Sequence, residues 1–226
     1  ADFLPCVFDP ALDGCDTSDA FGADPAVADV EELMRWLETS NESGILSGAL
    51  DLDKIAISGH SAGGGTTAAV ADEEWFDAGI SMAAASAWGE NTPGLVISGT
   101  CDGFVDQATV ESTAATQESS QLVAIVGAGH MAFTDICELG IVEMANELLT
   151  PRDDMNETFL NMLMSLGSDG CDFGQPPADD DCSTEYTDLE TSQEVIRHYT
   201  TVFLDDVLKN EGEGVLDDVF DIAELR

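Results

Sequence analysis

The stretch that most constrains the fold is residues 55–71, where an apolar run leads into Gly-His-Ser-Ala-Gly at positions 59–63. Small residues compatible with a helix follow directly. A serine between a strand and a helix must adopt a strained backbone, and glycine on either side avoids a Cβ collision. We predict that the Ser61 hydroxyl projects above a sheet, with the Ala62 amide directed toward a developing negative charge. The alternative is a glycine-rich turn with a purely structural role.

The rest of the chain continues the alternation of short apolar strands and helices. Strands are predicted at 53–59, 78–84, 94–98 and 121–126, and helices at 25–37, 62–71, 106–117, 131–149, 157–166 and 187–208. Such alternation is typical of parallel βαβ units, so the sequence predicts an α/β fold with a doubly wound, mostly parallel sheet. The acidic tail, 213–226, is predicted to be helical.

The charge balance limits the partners. The chain has 6 Lys+Arg against 46 Asp+Glu, a formal net charge of −40. This field repels nucleic acid and anionic membrane surfaces, and no apolar run reaches the roughly 18 residues of a membrane span. We therefore expect neither nucleic acid nor a membrane span. The sequence leaves the oligomeric state open, with a monomer as the simplest case.

The six cysteines favour disulfides and an oxidising compartment, so the protein is expected to be secreted or periplasmic. Close spacing favours the pairs Cys6–Cys15 and Cys171–Cys182, although six cysteines allow many connectivities. The sequence contains no Cys-x-x-Cys motif, so we do not expect a zinc site. The acidic residues of 1–24 are interpreted as a solvated loop stapled by the first pair rather than as a calcium site.

An activated serine needs a base, and the chain has three histidines to supply it. His130 follows a predicted strand in a glycine-flanked loop, where open-sheet enzymes place catalytic groups. His60 adjoins Ser61 and is expected to point away from it, and His198 lies within a long helix. We therefore predict that His130 is the base.

The base in turn needs an acid that orients its ring. Asp102 follows the predicted strand that precedes the strand of His130. Because the carboxyl ends of parallel strands share one edge of a sheet, we predict that Asp102 contacts His130. Asp106 and Asp135 are the alternatives. Asp135 is the weaker one because it lies in a predicted helix beyond the base.

These motifs together resemble the catalytic half of the dienelactone-hydrolase-like esterases of the α/β-hydrolase superfamily. This group includes cutinase-like polyester hydrolases and platelet-activating-factor acetylhydrolase-like lipases. The resemblance covers about 25–135, and the segments that carry it are 58–65, Trp88, 101–105 and 127–130. It implies a secreted carboxylic ester hydrolase that forms an acyl-enzyme on Ser61 and needs neither a metal nor an organic cofactor.

The resemblance also implies neighbours of the triad. Trp88 occupies the position of a cleft-lining tryptophan in the polyester hydrolases, with simple core packing as the alternative. Substrate contacts are predicted for residues on or beside the motifs, namely His60, Trp88, Phe104 and Met131. Some members join the acid loop to the histidine loop by a disulfide, and Cys101 with Cys137 resembles that bond.

Two departures from the family shape the expected domain. Residues 1–24 leave no room for the N-terminal strands or the second oxyanion donor, and 136–184 are expected to form a helical insertion or cap. The prediction is one domain, with 25–135 as the catalytic core and 185–226 as a terminal helix and tail. The alternatives are an incomplete, non-catalytic hydrolase-fold module and, among enzymes, a lactone hydrolase or peptidase.

Overall fold

The computed structural model describes residues 23–89, 91–140, 142, 171, 180–210, 216 and 220–225. Their strands form one sheet in chain order: β1 (Ala56–His60), β2 (Ala78–Met82), β3 (Gly94–Gly99), β4 (Ser120–Ile125) and β5 (Ala223–Leu225). The first four strands are parallel, and β5 pairs antiparallel with β4. The predicted α/β fold with a mostly parallel sheet is confirmed.

One helix precedes the parallel strands, and the others connect or follow them. They are α1 (Ala23–Ser43), α2 (Ala62–Val70), α3 (Gln107–Ala114) and α4 (Leu189–Lys209), with a short 3-10 helix at His130–Phe133. Each parallel strand and each of the four α-helices lies within a few residues of its predicted position, except that α1 continues to Ser43. None of the helices in the described part of the chain is long and apolar enough to cross a bilayer.

The sheet is covered on both faces. Side chains alternate along each strand, so a single strand contributes to the core on both sides. On one face, Leu95 and Ile97 pack in the cluster that contains Tyr199 of α4. On the other face, Val96 packs in the cluster that contains Val110 of α3. Burial on both faces matches the continuous apolar runs from which the strands were predicted.

The tail differs from the prediction. Ala223–Leu225 forms β5 rather than a helix, and the Val126 N–H donates to the Ile222 carbonyl at 2.7 Å as the strand begins. This three-residue strand covers the outer edge of β4, so edge pairing outweighs the helical pattern of the acidic tail.

The predicted helix at 131–149 is absent from 134–140, which form bends and turns. The 3-10 helix ends at Phe133, and Thr134 is extended, with φ of −136° and ψ of 165°. The predicted helix at 157–166, the pair Cys6–Cys15 and most of 136–184 lie outside the described residues, so the division into core and insertion stays a prediction.

Candidate active site

Ser61 lies in a strained turn between β1 and α2. Its φ of 55° and ψ of −119° place it in a region that side chains rarely adopt. The Ser61 N–H donates to the Met82 carbonyl at 2.9 Å, and the Gly64 and Gly65 amides donate to the Ser61 carbonyl at 2.9 and 3.2 Å. Neighbouring backbone therefore stabilises the conformation, and Ala62 begins α2, where the amides have no intrahelical acceptor.

The two glycines of the motif have different roles. A Cβ on Gly59 would collide with the carbonyl oxygen of Gly63, whereas a Cβ on Gly63 would meet nothing within 4 Å. The prediction that a side chain at position 63 would collide is therefore wrong. The backbone of Gly63, not its missing side chain, makes the close approach to Gly59.

The predicted acid and base are joined. His130 Nδ1 lies 2.8 Å from Asp102 Oδ2, and each residue is only 3% exposed. The other carboxylate oxygen, Oδ1, accepts from the amides of Phe104 and Val105, both at 2.8 Å. An ionised Asp102 fixes the proton of His130 on Nδ1, so Nε2 carries the lone pair that a general base needs.

The alternative acids and the third histidine lie elsewhere. Asp106 is exposed and caps α3, where its Oδ2 accepts from the Thr109 amide at 3.0 Å. Asp135 is also exposed. His198 lies in α4, with ring contacts to Tyr199 and Phe220. The described hydrogen bonds therefore single out Asp102 as the acid partner of His130.

Ser61, Asp102 and His130 follow the carboxyl ends of β1, β3 and β4, which share one edge of the sheet. No hydrogen bond among the described residues joins the Ser61 hydroxyl to His130. The Ser61 turn is linked to the segment after β4 through His60, whose Nε2 donates to the His130 carbonyl at 3.0 Å. Catalytic hydrogen bonds are often long before substrate binds.

Rings surround the imidazole of His130. Phe104 stacks on it with centroids 4.6 Å apart, and His60 lies 4.7 Å away on a tilted ring that also stacks on Phe133. Burial, and then the neighbouring charge of His130, lower the pKa of His60 to about 4. His60 is therefore neutral near pH 7. Substrate contacts of His60, Phe104 and the half-buried Met131 stay predictions.

Trp88 does not belong to this edge of the sheet. It is 8% exposed and packs against Gly79 and Gly94, which lie at the amino ends of β2 and β3. Its Nε1 donates to the Thr92 carbonyl at 3.2 Å. Since the three predicted catalytic residues follow carboxyl ends, the predicted cleft role is wrong. The aromatic ring is part of the core.

The disulfides differ from the predicted pairs Cys101–Cys137 and Cys171–Cys182. The structure joins Cys101 to Cys171 and Cys137 to Cys182, with Cα atoms 4.9 and 5.2 Å apart. The pairing implied by the resemblance would join Cys137 directly to the acid loop. Cys137 is instead bonded to Cys182, in a third segment of the chain.

That third segment is the part of the site that the sequence did not reveal. Asp180 Oδ2 accepts from the amides of Gly103 and His130, both at 2.9 Å. Asp181 Oδ1 accepts from the Gly129 amide at 2.6 Å. Burial is the main cause that raises the pKa of both carboxyls, to about 7 for Asp181.

No local signal distinguishes these two aspartates, which lie in an acidic run of a chain with 46 Asp+Glu. Within the described ranges, no group of three or more His, Cys, Asp or Glu side chains is arranged to hold a metal ion. The two buried aspartates bind backbone amides instead.

Comparison of the chain with known proteins does not assign it to a family. It matches no protein-family model and no curated protein. The functional interpretation therefore depends on the geometry of Ser61, Asp102 and His130.

Proposed function

We propose that the protein is a serine hydrolase of the α/β-hydrolase type that cleaves carboxylic esters. The observation that carries the proposal is the buried hydrogen bond between Asp102 and His130, at the same edge of the sheet as the strained Ser61 turn. The order of nucleophile, acid and base along the chain, after the first, third and fourth strands, supports the hydrolase type.

In the first half of the proposed reaction, His130 Nε2 accepts the proton of the Ser61 hydroxyl, and Oγ attacks the ester carbonyl. The Ala62 amide at the N-terminus of α2 donates to the oxyanion. Asp102 stabilises the imidazolium that forms. The imidazolium then protonates the leaving alcohol, and an acyl-enzyme remains on Ser61.

In the second half, His130 removes a proton from water, which attacks the acyl carbonyl. Collapse of the tetrahedral intermediate returns the proton to Ser61 and releases the carboxylic acid. Stacking of Phe104 and burial keep the His130 ring in one orientation throughout. The two disulfides support a location outside the reducing cytoplasm.

A fluorophosphonate probe and a panel of p-nitrophenyl esters of increasing acyl length test the proposal. We expect the probe to label Ser61 alone and Ser61→Ala to abolish labelling and turnover. His130→Ala should lower kcat by on the order of 10³ or more. Ser61→Ala retains the turn, so circular dichroism should show the same fold.

Each other outcome has a defined meaning. Labelling that persists in Ser61→Ala would overturn the nucleophile. Cleavage of lactones or peptides but not open-chain esters would retain the triad and change the substrate class. A folded wild-type protein that neither reacts with the probe nor cleaves any ester would instead favour the non-catalytic module.

A further inference from the structure

Three parts of the chain meet behind the Asp102–His130 pair. The acid loop (residues 100–106) follows β3, and the histidine loop (residues 126–133) follows β4. The bridging segment (residues 180–182) contacts both. Its Cys182 is bonded to Cys137, which lies just beyond the histidine loop. Cys101 of the acid loop is bonded to Cys171, on the other side of the same segment in the sequence.

One oxygen atom of the bridging segment spans the two loops. Asp180 Oδ2 accepts from the Gly103 amide and from the His130 amide, both at 2.9 Å. A third bond, from the Met131 amide to the Asp180 carbonyl at 2.8 Å, fixes the segment against the histidine loop. Separation of Gly103 from His130 would therefore break at least one of the two bonds to Asp180 Oδ2.

The same two loops carry the bond between acid and base. Gly103 is the neighbour of Asp102, and the other amide belongs to His130 itself. The bridge through Asp180 and the bond from His130 Nδ1 to Asp102 Oδ2 thus connect the loops at nearly the same point. Asp180 is only 4% exposed, so water does not replace it as acceptor for the two amides.

We propose that Asp180 is a positioning residue of the active site, which holds Asp102 and His130 at bonding distance by accepting from one amide on each loop. The activity part of this proposal rests on the proposed function, but the geometric part does not. The role requires an acceptor oxygen rather than a charge. Asparagine at this position should therefore serve, whereas alanine leaves two buried amides without an acceptor.

The matched control is Asp181. This neighbour is about as buried, but among the described residues its carboxylate accepts a hydrogen bond from the Gly129 amide, on the histidine loop, and from none on the acid loop. Removal of either carboxylate takes away a buried acceptor. Only removal of Asp180 takes away the bridge between Gly103 and His130. The direct bonds from the Cys101 amide to the Ala128 carbonyl and from the Gly127 amide to the Thr100 hydroxyl, both at 2.9 Å, remain in either variant.

The direct measurement is the NMR resonance of the His130 Nδ1 proton, which is shifted far downfield when it is bonded to a carboxylate. We expect the resonance in the wild-type protein, Asp180→Asn and Asp181→Ala, and its loss in Asp180→Ala. For ester cleavage, Asp180→Ala should lower kcat roughly 10- to 100-fold with KM within about twofold. Asp180→Asn should stay within about threefold of the wild type.

An unchanged resonance and kcat in Asp180→Ala would overturn the proposal, and so would an equal loss in Asp181→Ala. If Asp180→Ala does not fold, hydrogen exchange in the wild-type protein decides. The Gly103 and His130 amides should then exchange slowly and at matched rates, and fast exchange of either contradicts the bridge. A wild-type protein that shows the resonance but cleaves no ester would refute the proposed function and leave the geometric role intact.

Discussion

The Ser61 turn and the Asp102–His130 pair lie at one edge of the sheet but are built differently. The turn is held by neighbouring backbone, through bonds to the Gly64 and Gly65 amides and to the Met82 carbonyl. The pair is held by Asp180, whose bonds span 50 residues to His130 and 77 to Gly103. One half of the site is therefore held by the turn itself and the adjacent strand β2. The other half has local bonds from Phe104 and Val105 to Asp102 but depends also on a distant segment of the chain.

This difference predicts that the two halves fail separately. A change in the bridging segment should disturb the acid and base while the strained turn persists, because no described hydrogen bond connects the bridging segment to Ser61. A change at Gly59 should disturb the turn first. The following predictions test this separation, from the largest expected effect to the smallest.

Asp102→Asn should lower kcat for ester cleavage by on the order of 10³ to 10⁴, because the amide no longer holds the Nδ1–H tautomer of His130. Asp106→Asn is the matched control. Asp106 is an exposed helix cap, and asparagine caps helices as well as aspartate. Steady-state kinetics should therefore show little change for the control, and an equal loss in both variants would contradict the assignment of Asp102.

Removal of the bond between Cys137 and Cys182, in the double alanine variant, should lower the free energy of unfolding by about 2–4 kcal/mol. Denaturant unfolding under non-reducing conditions measures this loss. The effect should fall on the histidine loop, so turnover should decrease more than binding. Non-reducing peptide mapping is the control for the pairing, and a linked Cys101–Cys137 peptide would contradict the structure.

The same difference explains what the sequence could predict. The parallel strands and the turn were predictable because apolar runs, glycines and strand ends are local signals. Asp102 and His130 were predictable because each follows a buried strand of a parallel sheet. Their partner Asp180 was not predictable from the sequence. Its burial depends on contacts with residues far away in the chain, and nothing nearby distinguishes it from the other acidic residues.

Two of the wrong predictions, for Trp88 and for the disulfides, have related causes. Trp88 was predicted to line the cleft because it follows β2. After β2, however, the chain runs back to the amino ends of the strands, where Gly79 and Gly94 leave space for the indole. The disulfides were paired by short spacing and by resemblance to a bond in the family, whereas the observed pairs span 70 and 45 residues. Both predictions relied on sequence position and spacing, which do not show where the chain reverses direction.

Gly59→Ala should destabilise the protein by about 1–3 kcal/mol, because the added Cβ collides with the Gly63 backbone and the turn must shift. Gly63→Ala is the matched control, since its Cβ enters open space on α2 and alanine favours a helix by up to about 1 kcal/mol. Thermal unfolding measures both. Equal destabilisation by the two substitutions would show that the turn depends on both glycines.

The smallest effect concerns pH, and the two regions should respond with opposite sign. The folded-state pKa of His60, beside Ser61, is lowered to about 4 from 6.5. The folded protein then binds fewer protons than the unfolded chain between these values, so this contribution to stability is lost as pH falls from 6.5 toward 4. The pKa of Asp181, in the bridging segment, is raised from 3.8 to about 7. Its contribution is therefore lost as pH rises through 7.

Two substitutions separate these contributions. His60→Gln retains an N–H donor for the His130 carbonyl but does not titrate, so its melting temperature relative to wild type should be higher at pH 6 than at pH 8. Asp181→Asn retains an acceptor for Gly129, so its relative melting temperature should be higher at pH 8 than at pH 6. Each difference should be about 1 kcal/mol, or a few degrees. Calorimetric scans at the two pH values measure both, and parallel shifts of the two variants would contradict opposite titration in the turn and the bridging segment.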